Sequence, residues 1–168
     1  SGFYTRDEFI EILKYAKKRN IDILPQISFP SHARAAIKSM EVRYKNYMLK
    51  NDEIAANKYL LNDLKDESEY RSAQQYDDNI ICICQESAYT FFEKIVQEVK
   101  KMYDEAELKM DIFNIGADEV PYGAWQKSPI CEKFISENKE IENINDLYNY
   151  NLYKLNNIIN NYGAKMAG

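Results

Sequence analysis

Two short apolar runs, each delivered by an amphipathic helix, constrain the fold of this 168-residue chain more than any other feature. Thr5, followed three residues later by Glu8, reads as a capping box that opens the first helix. Phe9, Ile12, Leu13 and Ala16 recur along it at helical spacing, and it closes near Asn20. Residues 21–27 (IDILPQI) then read as a short buried strand, stopped by Pro30. The pattern repeats downstream. Residues 86–105 form an amphipathic helix with Phe91, Phe92, Ile95, Val96, Val99 and Met102 on one stripe, and residues 111–116 (DIFNIG) form a second strand. A short helix near 129–138 and a longer one over 145–161 follow, and residues 164–168 read as the opening of a third strand. Helices that alternate with strands predict an α/β chain with parallel pairing. Ser31 is placed to cap a helix carrying Ala33, Ala35, Ala36 and Met40. Beyond that helix the chain is polar and irregular to about Asn79, with a further helix expected within 51–66. A connection this long between core elements ordinarily carries function or shapes a site.

Composition narrows the function classes. Apolar residues at 45% supply a core, and the length suits one domain of ordinary size. The net charge of −5 leaves no basic stripe to neutralise phosphates, which argues against a nucleic-acid partner. Lys17-Lys18-Arg19 and Lys100-Lys101 fall late in helices, where cations complement the dipole. No apolar run is long enough to span a membrane, and no leader pattern opens the chain, although Ser1-Gly2 does not read as a natural start. Cys82 and Cys84 are separated by one residue, whereas zinc pairs use two to four. With Cys131 they are expected to be buried thiols and not a disulfide framework, and no metal or other cofactor is implied.

The residues with chemical potential lie at strand ends. Asp118 and Glu119 follow residues 111–116, at the carboxyl end of a predicted parallel strand, where βα barrels build their active sites. Alternation puts Asn114 and Gly116 on the face of Asp118, with Phe113 and Ile115 turned toward the helices. His32, the one histidine of the chain, stands just past the other strand end, in the corresponding position. Two plainer readings stay open at this level: acids that cap the following loop, and a histidine that packs. Trp125 is expected to pack before a helix, and Tyr122 is open to either role.

Residues 113–129 (FNIGADEVPYGAWQKSP) resemble the signature of glycoside hydrolase family 20, in which a strand ends in His-x-Gly-Gly-Asp-Glu-Val and a Trp follows. Residues 24–33 (LPQISFPSHA) resemble the preceding strand of the same family, usually Pro-Glu-x-x-x-Pro-Gly-His-Ala. Residues 34–38 (RAAIK) and 72–79 (SAQQYDDN) are similar to the bacterial branch, so the resemblance covers nearly the whole chain. It implies a β-N-acetylhexosaminidase that acts on a carbohydrate, an N-acetylglucosaminide or N-acetylgalactosaminide, by a retaining mechanism in which the substrate's own 2-acetamido oxygen is the nucleophile. Carried over residue by residue, Glu119 is the general acid and later base. Asp118 holds the acetamido nitrogen and stabilises the cyclic cation, and His32 orients and tunes Glu119. A general acid must hold its proton near working pH, which a dry pocket and an ionised neighbour favour. A nucleophile built into the substrate supplies proximity without a nucleophilic side chain.

The resemblance also implies what the chain lacks. A (β/α)8 barrel has eight strands and typically about 250 residues. The expectation is therefore a partial barrel, the third and fourth βα units plus the start of the fifth strand, all within one catalytic domain. The remaining units would be needed to complete the site. Alone, such a segment is expected to be inactive and to expose strand edges. Four positions depart from the family pattern: Asn114 for His, Ala117 for Gly, Gln26 for Glu and Ser31 for Gly. Asn114, Ala117 and Gln26 favour an alternative, a sugar-binding relative with impaired catalysis. A third reading is an inactive barrel fragment whose acids bind a metal or cap a loop. The family resemblance points to a secreted, periplasmic or lysosome-like setting.

Overall fold

A computed structural model describes residues 2–168. The elements run α1 (Arg6–Lys17), α2 (Arg34–Met48), α3 (Glu53–Asn57), α4 (Glu86–Glu105), β1 (Ile112–Asn114), α5 (Pro129–Glu137), α6 (Ile144–Asn161) and β2 (Lys165–Ala167). The capping box forms: Thr5 Oγ1 accepts from Glu8 N–H while Glu8 accepts from Thr5 N–H. β1 and β2 pair in parallel, with Phe113 opposite Met166 and Asn114 opposite Ala167. Residues 25–29 add a third parallel row. Asn114 N–H donates to Pro25 O, Ile27 N–H to Asn114 O and Phe29 N–H to Ile115 O. One layer of parallel backbone thus carries helices on its buried face.

That face is a run of aromatic rings. Phe92 of α4 meets Phe29 edge-on at 5.3 Å and Phe113 at 5.8 Å. All three are at most 1% exposed. Burying each contributes about 1.5–3 kcal/mol before packing terms are added. Phe113 and Ile115, two residues apart and both fully buried, are the inward face expected for the strand. α4 also fixes its neighbours: Phe9 of α1 packs edge-on to Tyr103, the Tyr103 hydroxyl donates to Ile23 O at 2.6 Å, and Arg6 pairs with Glu105.

Four expectations need correction. Residues 21–27 do not form a buried strand: only Gln26 bridges to Asn114, and Ile21 and Leu24 are 54% and 50% exposed. This row is the outer edge of the sheet among the described residues, so nothing covers those side chains. Ser31 does not cap α2, whose N-cap is Ala33 without a side-chain hydrogen bond. The third correction is length, since α2 continues to Met48 through a polar stretch. Tertiary contacts replace the missing periodicity there: the Arg43 guanidinium donates to Ala55 O and lies over the rings of Tyr47 and Tyr59.

The fourth concerns the cysteines. Cys84 and Cys131 form a disulfide across a sequence separation of 47, with Cα atoms 5.2 Å apart. Sequence spacing carried no trace of it, because the pairing depends on α5 folding against the segment that precedes α4. Cys82 stays a buried thiol, with its sulfur 3.8 Å from that of Cys131. Burial pushes the Cys82 thiol up to about 12, which keeps it protonated and unreactive. The disulfide also removes two of the three sulfurs that would otherwise make a metal-ligating cluster.

Candidate active site

The chain beyond β1 is held open by left-handed backbone. Gly116, Ala117 and Glu119 have φ of 69°, 64° and 52°. For Gly116 this conformation is free of strain, and space there is restricted as well: a Cβ would lie 2.9 Å from Ser28 Oγ and 3.3 Å from Asp118 Oδ1. For Ala117 and Glu119 it costs about 1–2 kcal/mol each. His32, at the end of the neighbouring row, is left-handed too, with φ of 55°. Such outliers concentrate where surrounding structure fixes a functional conformation. Backbone alternation ends at Asn114, so the placement of Asp118 follows from this turn and not from the strand period.

Several contacts fix the turn. Asn114 Oδ1 accepts from Gly116 N–H at 2.7 Å. The Ser31 hydroxyl donates to Asp118 O at 2.5 Å, which ties the two strand ends together. The Tyr148 hydroxyl, from α6, donates to Ala117 O at 2.7 Å. Burial first, and then the Asp118 carboxylate, push the Tyr148 phenol up, so it acts only as a neutral donor.

The three sequence-predicted residues converge. His32 Nε2 lies 3.6 Å from Asp118 Oδ1 and 3.5 Å from Glu119 Oε2. These separations bring the groups into electrostatic contact but exceed good hydrogen-bond distances. The Glu119 carboxylate accepts at 2.6 Å from the side-chain amide of Gln74. The side chains of Asp118 and Glu119 are 61% and 46% exposed, so these residues do not by themselves supply the dry pocket that a general acid needs. The ligating atoms of His32, Asp118 and Glu119 also fall within 4.8 Å of one another, a donor set that suits a cation as well as acid–base chemistry. Trp125 packs, as expected: it is 3% exposed and its indole N–H donates to Ile81 O at 2.9 Å. Tyr122 is 93% exposed.

Sequence reasoning missed Tyr148, Gln74 and the role of Ser31. Tyr148 lies on a helix with no local signal. Gln74 lies in the long irregular connection that was expected to shape a site, within residues 72–79 that resemble the bacterial branch, but nothing in its type or spacing assigned it a role. No helix among the described residues is long and apolar enough to cross a membrane.

Comparison with known proteins gives this geometry a context. The model of glycosyl hydrolase family 20, catalytic domain, matches residues 1–168. The chain is 40% identical over 168 residues to a beta-hexosaminidase of Vibrio vulnificus, covering 99% of this chain and 20% of that protein. It is 38% identical over 168 residues to beta-hexosaminidase B of Pseudoalteromonas piscicida, covering 100% of this chain and 21% of that protein. A solved family 20 exo-β-N-acetylglucosaminidase of Vibrio harveyi, in complex with N-acetylglucosamine, matches with a TM-score of 0.80 at 31% identity, over 99% of this chain and 22% of that one. The chain therefore spans about a fifth of the length of the relatives it matches. The matched domain has a TIM-barrel fold, and the parallel rows and flanking helices here follow it.

Proposed function

The chain belongs to glycosyl hydrolase family 20, and from that premise we propose that the polypeptide carrying it removes terminal β-linked N-acetylhexosamine from glycans or chitooligosaccharides by substrate-assisted, retaining catalysis. The observation that carries the reading is the convergence of His32, Asp118 and Glu119 at two adjacent parallel strand ends. In this reading the segment supplies the third and fourth βα units and the start of the fifth strand. The remaining units bring the other pocket walls, and the isolated segment is inactive.

The roles follow from the chemistry of each group. The acetamido oxygen of the substrate attacks the anomeric carbon as the glycosidic bond breaks. Glu119 gives its proton to the departing oxygen, then takes one from the water that opens the cyclic intermediate. Asp118 accepts the acetamido N–H and offsets the positive charge that spreads over the ring. His32, in electrostatic contact with both acids, orients them. Ser31 and Tyr148 hold the carbonyls of Asp118 and Ala117, and so fix the backbone that aims the acids.

The test is hydrolysis of a chromogenic N-acetylglucosaminide by the full-length polypeptide. Glu119→Gln is expected to lower kcat by about a hundredfold or more while substrate binding persists. Inhibition by a thiazoline mimic of the cyclic intermediate is expected in the parent and lost in Asp118→Ala. A second reading, a sugar-binding relative with impaired catalysis, is favoured by Asn114, whose oxygen is engaged by Gly116, and by Ala117 in a left-handed conformation that suits glycine. A parent protein that binds N-acetylglucosamine yet is as inert as Glu119→Gln establishes that alternative.

A further inference from the structure

We infer that Gln74 is a positioning residue for Glu119, an inference that rests on the acid role proposed above. Glu119 is exposed and sits in a left-handed backbone, so nothing in its own segment holds the carboxyl group in one orientation. Among the described residues, the one short contact to that group comes from the Gln74 amide, which donates to Oε2 at 2.6 Å. His32 faces the same oxygen from 3.5 Å. With Oε2 engaged by the Gln74 amide, the proton of the acid resides on Oε1, the oxygen left to face a glycosidic leaving group. The amide therefore selects which oxygen is the acid and keeps it aimed.

The loop that carries Gln74 is built to hold this position. Ser72 and Tyr76 close it: Ser72 N–H donates to Tyr76 O at 2.9 Å, and Tyr76 N–H donates to Ser72 Oγ at 3.1 Å. Gln75, at the tip, is left-handed with φ of 67° and donates its N–H to Ser72 O at 2.8 Å. The loop is pinned at its base by the Tyr70 hydroxyl, which accepts from the N–H groups of Asn79 and Ile80. Asp78 pairs with Arg34 at 2.7 Å and with Lys38 at 3.1 Å, and the Arg34 guanidinium lies over the Tyr76 ring. Arg34 and Lys38 belong to α2, which begins two residues after His32. One helix thus sets both groups that face Glu119 from outside its own strand.

The experiment compares Gln74→Met and Glu119→Gln with the parent, all in the full-length polypeptide. Two substrates are used. The p-nitrophenyl N-acetylglucosaminide has a leaving group that needs little protonation, and the N-acetylglucosamine disaccharide has one that does. Gln74 is exposed, so the Met variant is expected to keep the parent's denaturation midpoint. Its kcat is expected to fall about tenfold to a hundredfold on the disaccharide and at most a few-fold on the nitrophenyl substrate, with KM unchanged on both. Equal losses on the two substrates, no loss, or a change confined to KM overturns the inference when Glu119→Gln shows the leaving-group selectivity. Full disaccharide activity in Glu119→Gln removes the acid assignment itself, and this inference with it.

Discussion

The two faces of the same parallel rows are built on opposite terms. On one face Phe29, Phe92 and Phe113 interlock, at most 1% exposed, and the packing is complete within the chain. On the other face Gln26, Asn114 and Ala167 share a row and lead up to Asp118 and Glu119, whose side chains remain about half open to water. The buried face is held by apolar area and shape. The open face is held by left-handed backbone turns, with the Ala117 and Asp118 carbonyls restrained by the Tyr148 and Ser31 hydroxyls. The same strands therefore separate stability from chemistry, and a substitution should register on one side or the other.

The sharpest way to break that separation is at the aromatic run. Phe92→Ala is expected to cost about 3–5 kcal/mol, read as a fall in the denaturant midpoint, because the cavity would open between two rings that cannot collapse onto each other. Glu119→Gln, by contrast, is expected to leave that midpoint within about 0.5 kcal/mol while activity falls, as for a surface position. An equal loss of stability in both variants would dissolve the distinction between the faces. Next in size is the disulfide. Cys84→Ser is expected to cost about 2–4 kcal/mol, with the parent losing a similar amount in reductant and the variant losing nothing further.

Smaller effects test the open side. Burial pushes the Asp78 carboxyl up, but the hydrogen bonds from Arg34 and Lys38 outweigh this and hold it below the usual carboxylate value. A depressed folded value means that its contribution to stability is present above the unfolded value near 4 and is lost as pH falls through the lower folded one. Asp78→Asn is expected to flatten the pH dependence of stability in that acid range and leave it unaltered at neutral pH and above, apart from a constant offset. Last, Ala117→Gly is expected to raise stability by up to about 1 kcal/mol, since glycine takes the left-handed conformation without strain and loses only part of that gain to chain entropy.

Much of the fold was legible in the chain itself, and the reason is local. The Thr5–Glu8 box, the stripe of α4 and the alternation of Phe113 and Ile115 each express a preference that neighbouring residues enforce. The exposed edge at Ile21 and Leu24 misled the reading, because apolar content predicts burial only when another element arrives to cover it. α2 ran longer than its pattern because Arg43 finds partners at Ala55 on α3 and at Tyr59 just after it, beyond the helical period.

For the site, sequence alone placed the acid pair after one strand and the histidine after the extended row beside it, since an extended segment and the turn that follows are written in consecutive residues. Only the tertiary structure decided that His32 faces both acids, that Ser31 binds a carbonyl where a cap was expected, that Tyr148 and Gln74 reach the same turn, and that Cys84 finds Cys131. Each of these joins residues far apart in the chain. Hydrogen bonds and disulfides form at a few ångströms and carry no periodic signature, so their partners are chosen by packing and cannot be read from spacing.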